Sequence, residues 1–174
     1  YLYYGSTRSQ STIISKGGKY PKASISEDGT KVAFVADLDT TKRRLRSYEL
    51  HLWDEAAMRP NPLVRGGKLF TDFDLKVSSN MTPSFSRDGS KLYFGVAPDP
   101  VLEDSLALEE EMVQVEVWTT DDPMLYTMQE VRKKRIENKA YEVLFDLEKG
   151  NFITLNSPEF PELSRSVHGN GKYI

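Results

Sequence analysis

The 174-residue chain has no cysteine, which removes disulfides, thiol nucleophiles and Cys-ligated zinc together. Histidine is nearly absent too, with His51 and His168 the only two. No run approaches the ~18–20 apolar residues that a membrane-spanning helix needs. Neither sign of charge dominates: 23 Lys+Arg against 26 Asp+Glu give a net charge of −3. No bulk basic field therefore draws the chain to nucleic acid or anionic lipid. The opening YLYYGSTRSQ has no initiator Met and none of the regions of a signal peptide, as expected for a piece of a longer chain. No G-x-S-x-G occurs, so a nucleophile elbow is missing, and no local pattern assembles Ser, His and Asp into a triad. No catalytic residue, cofactor site or metal site is expected within the chain.

What is present is a repeated phrase. Residues 24–34 read SISEDGTKVAF and residues 84–94 read SFSRDGSKLYF, identical at Ser, Ser, Asp, Gly, Lys and Phe. Asp-Gly between two apolar runs is a hairpin signal, because Gly supplies positive φ and Asp bonds nearby backbone. Ala23–Ser26 is expected to pair with Lys31–Ala36, and Pro83–Ser86 with Lys91–Val96, all antiparallel. A degraded third copy lies in SVHGNGKYI, with Ser166-Val167 in place of Ser-Ile and Asn170-Gly171 in place of Asp-Gly. At the other end, Tyr1–Gly5 (YLYYG) is a short match to Lys91–Gly95 (KLYFG).

Further strands follow each phrase. Tyr48–Asp54 (YELHLWD) and Val113–Thr119 (VQVEVWT) alternate, and a turn over Asp54–Pro62 leads to Leu63-Val64. Tyr141–Leu147 and Phe152–Leu155 flank a turn at Glu148–Asn151. Strand-rich self-similarity at this period points to a β-propeller of four-stranded blades. Both alternating sets in VAFVA and LYFGVA are apolar, as sheets covered on both faces require. The expectation is an all-β partial propeller: one blade over 19–80, a second over 81–163, and partial blades over 1–18 and 164–174. Two insertions interrupt the second blade: an acidic one at 99–112, and one at 122–139 where Asp122-Pro123 starts a short helix. Unpaired strand edges and uncovered faces make self-association the expectation for the isolated piece.

Several residues are of types that carry chemistry. His51 shares a strand face with Glu49 and Trp53, and His168 falls in the third hairpin; both read as scaffold. Asp37-x-Asp39 and Asp72-x-Asp74 lack the Gly bend and closing Glu of a calcium loop and read as strand-end and turn residues. Lys42-Arg43-Arg44 with Arg46, and Arg132–Arg135, lack interleaved aromatics and read as solvated faces. Trp53 and Trp118 end alternating runs, where packing between sheets outweighs ligand stacking. Glu109-Glu110-Glu111 is a solvated acidic run or a seat for a cation such as a peptide's amino end, which would relieve carboxylate repulsion.

The phrase S-[IF]-S-x-D-G-[ST]-K-[VL]-x-F, the strand YELHLWD and the stretch VEVWTTDDPMLYTMQ together resemble the N-terminal propeller of bacterial prolyl oligopeptidase-family serine peptidases. The resemblance runs through the chain; its hairpin phrase is shared with TolB-like propellers. It implies a propeller that gates and positions peptide substrates for an α/β-hydrolase domain, absent here, that carries the catalytic Ser, Asp and His. It also implies a periplasmic or exported setting. In the dipeptidyl-peptidase branch a Glu pair on a propeller excursion holds the substrate amine, and Glu109–Glu111 is similar to that pair. The alternative is a TolB-like protein-binding propeller with no catalytic domain; a third reading is a stand-alone ligand-binding β-sandwich, which does not explain the repeated hairpin phrase.

Overall fold

The computed structural model describes residues 1–68, 70, 74–100, 138–166 and 168–171. Two compact units divide the chain, Tyr1–Asp99 with Ala140–Ile174 and Pro100–Lys139; nearly all of the second lies outside the described residues. The fold is all-β and antiparallel, with no helix among the described residues, and so none long and apolar enough to cross a membrane. Residues 101–112 of the acidic insertion and 122–137 of the expected helix fall outside the described residues.

Strands β1 (Leu2–Tyr4) and β2 (Ser9–Ser11) form a hairpin. β3 (Lys19–Ile25), β4 (Lys31–Asp37), β5 (Glu49–Asp54) and β6 (Arg59–Val64) form a four-stranded meander. The second sheet contains β7 (Lys76–Val77), β8 (Ser84–Phe85), β9 (Lys91–Ala97), β10 (Tyr141–Asp146) and β11 (Asn151–Thr154). Along one side of β9 lie β7 and then β8; β10 and β11 follow on the other. β6 starts inside the stretch read from sequence as a turn. Its Pro60 and Pro62 pair with Trp53 and His51, and they are tolerated because β6 is an edge strand that need not donate outward.

The two sheets share one register. Ile25 faces Val32 as Phe85 faces Leu92, and Val32 faces Trp53 as Leu92 faces Phe145. Trp53 then faces Pro60 as Phe145 faces Phe152. The repeated phrase makes the same loop twice. Ser26 N–H donates to Lys31 O (2.9 Å) and Ser86 N–H to Lys91 O (2.9 Å), closing a loop of four residues in each. Gly29 (φ 74°) and Gly89 (φ 65°) supply the left-handed residue.

The third copy forms the same loop two residues earlier than the sequence alignment placed it. Gly169 (φ 66°) donates to Ser166 O (3.0 Å), as Gly29 does to Ser26 O (2.9 Å). Gly171 N–H donates to Ser166 Oγ (3.1 Å), as Lys31 N–H does to Ser26 Oγ (2.9 Å). His168, not Asn170, therefore stands in the Asp28 position. Tyr1–Gly5 also changes assignment. Tyr4 faces Ser9 across a four-residue connection, as Asp54 faces Arg59 and Asp146 faces Asn151. The last connecting residue is left-handed in all three: Arg8 (φ 52°), Met58 (φ 53°) and Gly150 (φ 69°). The opening strand thus corresponds to β5 and β10, and its likeness to β9 is accidental.

Strand alternation sends each sheet's side chains to two faces, and both are buried. Ala33, Val35 and Leu50 project from one face of the first sheet into a core with Leu92, Phe94, Val96, Val143 and Phe145 of the second. Val32, Phe34, Ala36 and Trp53 project from the other face and pack with Leu2, Ile13 and Ile14. By register, Val32, Phe34 and Trp53 are the counterparts of Leu92, Phe94 and Phe145. We call the Ala33–Val35–Leu50 face of the first sheet and its register counterpart in the second odd, and the Val32–Phe34–Trp53 and Leu92–Phe94–Phe145 faces even. The odd face of the first sheet then meets the even face of the second, while its own even face meets Leu2 of the opening hairpin, a head-to-tail order.

Candidate functional site

The carboxylates of the repeated loops are committed to structure. Asp28 Oδ1 accepts from Ser26 Oγ (2.5 Å) and Thr30 N–H (3.1 Å), and its Oδ2 accepts from Thr30 Oγ1 (2.8 Å). These bonds, led by Ser26, hold the Asp28 pKa down to about 2. Asp88 repeats the arrangement with Ser86 and Ser90, and its pKa is lowered for the same reason. Asp37, buried at the end of β4, pairs with Arg46 Nη1 at 2.6 Å, and Asp39 binds Thr41 and Arg43. Asp74 sits at a turn with φ 51°. These aspartates act as the strand-end and turn residues their spacing indicated, and no described group of carboxylates and histidines could hold a metal ion.

A cleft of about 410 Å³ opens on the even face of the first sheet, toward its β6 edge. Its lining includes Glu49, His51, Pro60 and Pro62 from β5 and β6, with Ile14, Lys16, Leu38 and Arg65 around them. Alternation along β5 places Glu49 and His51 on one face, as their spacing predicts, and the His51 Nε2 lies 3.0 Å from Glu49 Oε2. A carboxylate only accepts, so Nε2 carries the hydrogen, and the buried Nδ1 has no hydrogen-bond partner among the described residues. The imidazole stacks on Phe34, with centroids 5.1 Å apart and planes 5° from parallel. Glu49 Oε1 accepts from Gly66 N–H at 3.4 Å. Lys16 and Arg65 are exposed, and neither has an ion-pair partner among the described residues.

A second polar cluster lies on the odd face of the second sheet. Glu142 is buried; Arg165 Nη1 approaches its Oε1 to 3.2 Å, though Oε1 completes no hydrogen bond. Burial pushes the Glu142 carboxyl pKa up, and Arg165 pulls against that shift. The same guanidinium lies 4.2 Å over the Tyr93 ring and donates to Ser84 Oγ at 3.2 Å. Tyr93 O–H donates to Gly169 O (2.8 Å) inside this contact. The cluster fastens the third loop to the second sheet. Arg87 N–H adds to it, donating to His168 O and to Asn170 Oδ1, both at 3.0 Å.

Among the residues singled out from sequence, Trp53 is packed in the core of the even face and His168 is exposed on the third loop. Glu109, Glu110, Glu111, Asp72, Trp118 and Arg132–Arg135 lie outside the described residues. Sequence reasoning missed Lys16, Arg65 and the two prolines as companions of His51, because the sheet gathers them from separate segments. Arg165 likewise had no local signal. Glu142 did have one: it is a charge inside the alternating run YEVLFDL. In comparisons with known proteins, no family model and no curated protein matches the chain.

Proposed function

We propose that the chain is the non-catalytic propeller portion of a prolyl oligopeptidase-type serine peptidase, gating and positioning short peptides for an α/β-hydrolase domain of the same parent. The observation that carries the propeller part is the head-to-tail order of faces. The even face of each sheet meets the odd face of the preceding unit, and the same contact repeats without reversing. A sandwich of two sheets would close on itself; this order propagates, as blades do around an axis. The recurring loops at Ser26, Ser86 and Ser166 support the same reading. Blade boundaries at 19–80 and 81–163 go with it, although β7 lies ahead of residue 81 and pairs within the second sheet. The peptidase part rests on the phrase, strand and stretch described in the sequence.

In this reading Glu109–Glu111 holds the amine of the substrate. Tyr3, which stands where Trp53 does in its hairpin, is 65% exposed against 4% for Trp53. A further unit would cover it, and without one the isolated piece self-associates. The decisive experiment labels a parent protein containing residues 1–174 with a fluorophosphonate probe. A labelled serine outside residues 1–174, with cleavage of short peptides but not folded proteins, is expected. An unlabelled parent that cleaves no peptide refutes the peptidase and leaves the TolB-like protein-binding propeller.

A further inference from the structure

The repeat makes two joints, first sheet to second sheet and second sheet to third loop, and they differ at matched positions. The residue before the loop serine is Ile25 in the first copy, Phe85 in the second and Arg165 in the third. Ile25 faces Val32 as Phe85 faces Leu92, and Ser166 closes the third loop as Ser26 closes the first. Across the first joint, Phe85 packs against the core that contains Ala33, Val35 and Leu50 of the first sheet. At the places of those three residues the second sheet has Tyr93, Gly95 and Glu142. Across the second joint, Arg165 meets Glu142. Both sides of the contact have changed together, from apolar on apolar to cation on carboxylate.

The second joint is built around its arginine. Arg165 Nη1 lies 3.2 Å from Glu142 Oε1, and its Nη2 donates to Ser84 Oγ at 3.2 Å. The guanidinium stands 4.2 Å over the Tyr93 ring, and Tyr93 O–H reaches on to Gly169 O in the loop (2.8 Å). Ala33, at the same place in the first sheet, has no group that could do either. Glu142 is 7% exposed, so its charge depends on the partner that the third copy brings. Stripping a buried carboxylate of its cation is costly, whereas replacing a whole buried pair by apolar residues is often neutral. Such a pair adds little stability and much discrimination. Isoleucine or phenylalanine in the place of Arg165 would bury Glu142 with no counter-charge beside it.

From this we infer that the Glu142–Arg165 pair is a key that selects which copy packs on the odd face of the second sheet. That face takes a strand and loop with arginine before the loop serine, which is the third copy. It rejects the first and second copies, from the same chain or from another molecule, although all three make the same loop. The order of the copies is therefore written into the joint as well as into the chain connectivity. This assignment does not depend on the peptidase reading and stands or falls separately from it.

Amide hydrogen exchange tests it. The Arg87 N–H reports the joint, because it donates to His168 O and Asn170 Oδ1 of the third loop. The Ser86 N–H, bonded to Lys91 O within the second sheet, is the control. Arg165→Ile gives the third copy the residue of the first. It is expected to raise Arg87 exchange at least about tenfold while Ser86 stays protected. Glu142→Leu/Arg165→Ile turns the joint apolar on both sides and is expected to return Arg87 to within about threefold of the unsubstituted chain. An arginine that only packs would leave the single and double variants exchanging alike. Unchanged Arg87 exchange in Arg165→Ile overturns the inference, and so does a double variant no better protected than the single one. If Arg165→Ile loses protection at Ser86 as well, the double variant decides: recovery at both amides supports the key, and no recovery overturns it.

Discussion

The two sheets repeat one hydrogen-bonded frame with different side chains on it, and their odd faces differ most. In the first sheet Val35 and Leu50 face each other and are buried against the second sheet. At the same places the second sheet has Gly95 and Glu142. Gly95 makes room for Met81 and Ala140; a Cβ there would lie 2.5 Å from Met81 Cβ and 3.2 Å from Ala140 Cβ. Glu142 is held by Arg165, which reaches in from the third loop. The frame is thus set by loops and register, and each face is fitted to the segment that covers it. Exchanging residues between equivalent positions separates these two contributions.

The largest effect is expected from Leu50→Glu. It places a carboxylate among the apolar residues of the core between the sheets, at a cost on the order of 4 kcal/mol in urea denaturation. The reciprocal Glu142→Leu should change stability by no more than about 1 kcal/mol. It removes a buried, incompletely bonded carboxylate, and the partly exposed Arg165 can turn to water. Comparable losses from both exchanges would mean that the frame, not the cover, dictates the residue.

Gly95→Val should cost about 2 kcal/mol by overpacking. Adding Met81→Gly should recover part of that, because the closest clash is with Met81 Cβ, which only glycine removes. If the double variant is no more stable than the single one in thermal unfolding, the close approach is not what keeps position 95 small.

The loops should respond alike in both sheets. Ser26→Ala and Ser86→Ala each remove a hydroxyl that donates to an aspartate and accepts from a lysine N–H. Each should cost about 1–2 kcal/mol. Acid titration adds a sign. Asp28 is lowered to about 2 from 3.8, so its contribution is present above about pH 4 and is lost as pH falls toward 2. Glu142 runs the other way: its pKa is raised from 4.5, so the folded chain binds that proton more tightly and loses stability as pH rises above about 4.5. Glu142→Gln should remove the second trend and leave the first, as read from stability between pH 2 and 7.

Most of the frame was legible in the sequence, and the reasons are local. Asp-Gly with a flanking Ser encodes a loop through bonds within six residues, so both complete copies fold where the phrase indicates. The Glu148–Asn151 turn was placed for the same reason. The third copy was misaligned because Asn170-Gly171 imitates the Asp-Gly pair, whereas Ser166 fixes the loop on Gly169. Pro60 and Pro62 read as a turn because a sequence does not say which strand is an edge. The cleft was half visible, in the Glu49–His51 alternation. Lys16 and Arg65 come from connections distant in the sequence, and only the paired strands bring them to it.

The smallest effect tests the frame itself. Met58 and Gly150 end equivalent four-residue connections, and both are left-handed. Their backbone bonds match: Met58 N–H donates to Asp54 O (2.9 Å) and Gly150 N–H to Asp146 O (2.8 Å). A residue with a Cβ is strained at such a φ, while glycine is not but gives up more freedom on folding. Met58 is also exposed, so its side chain contributes little packing. Met58→Gly should therefore stabilise by about 0.5 kcal/mol, and Gly150→Ala should destabilise by about 1 kcal/mol. Opposite signs at these two positions in thermal unfolding would show that the connection sets the backbone in both sheets whatever residue occupies it. A loss from both would mean that the Met58 side chain has a role its exposure does not suggest, and the two hairpins would no longer be equivalent.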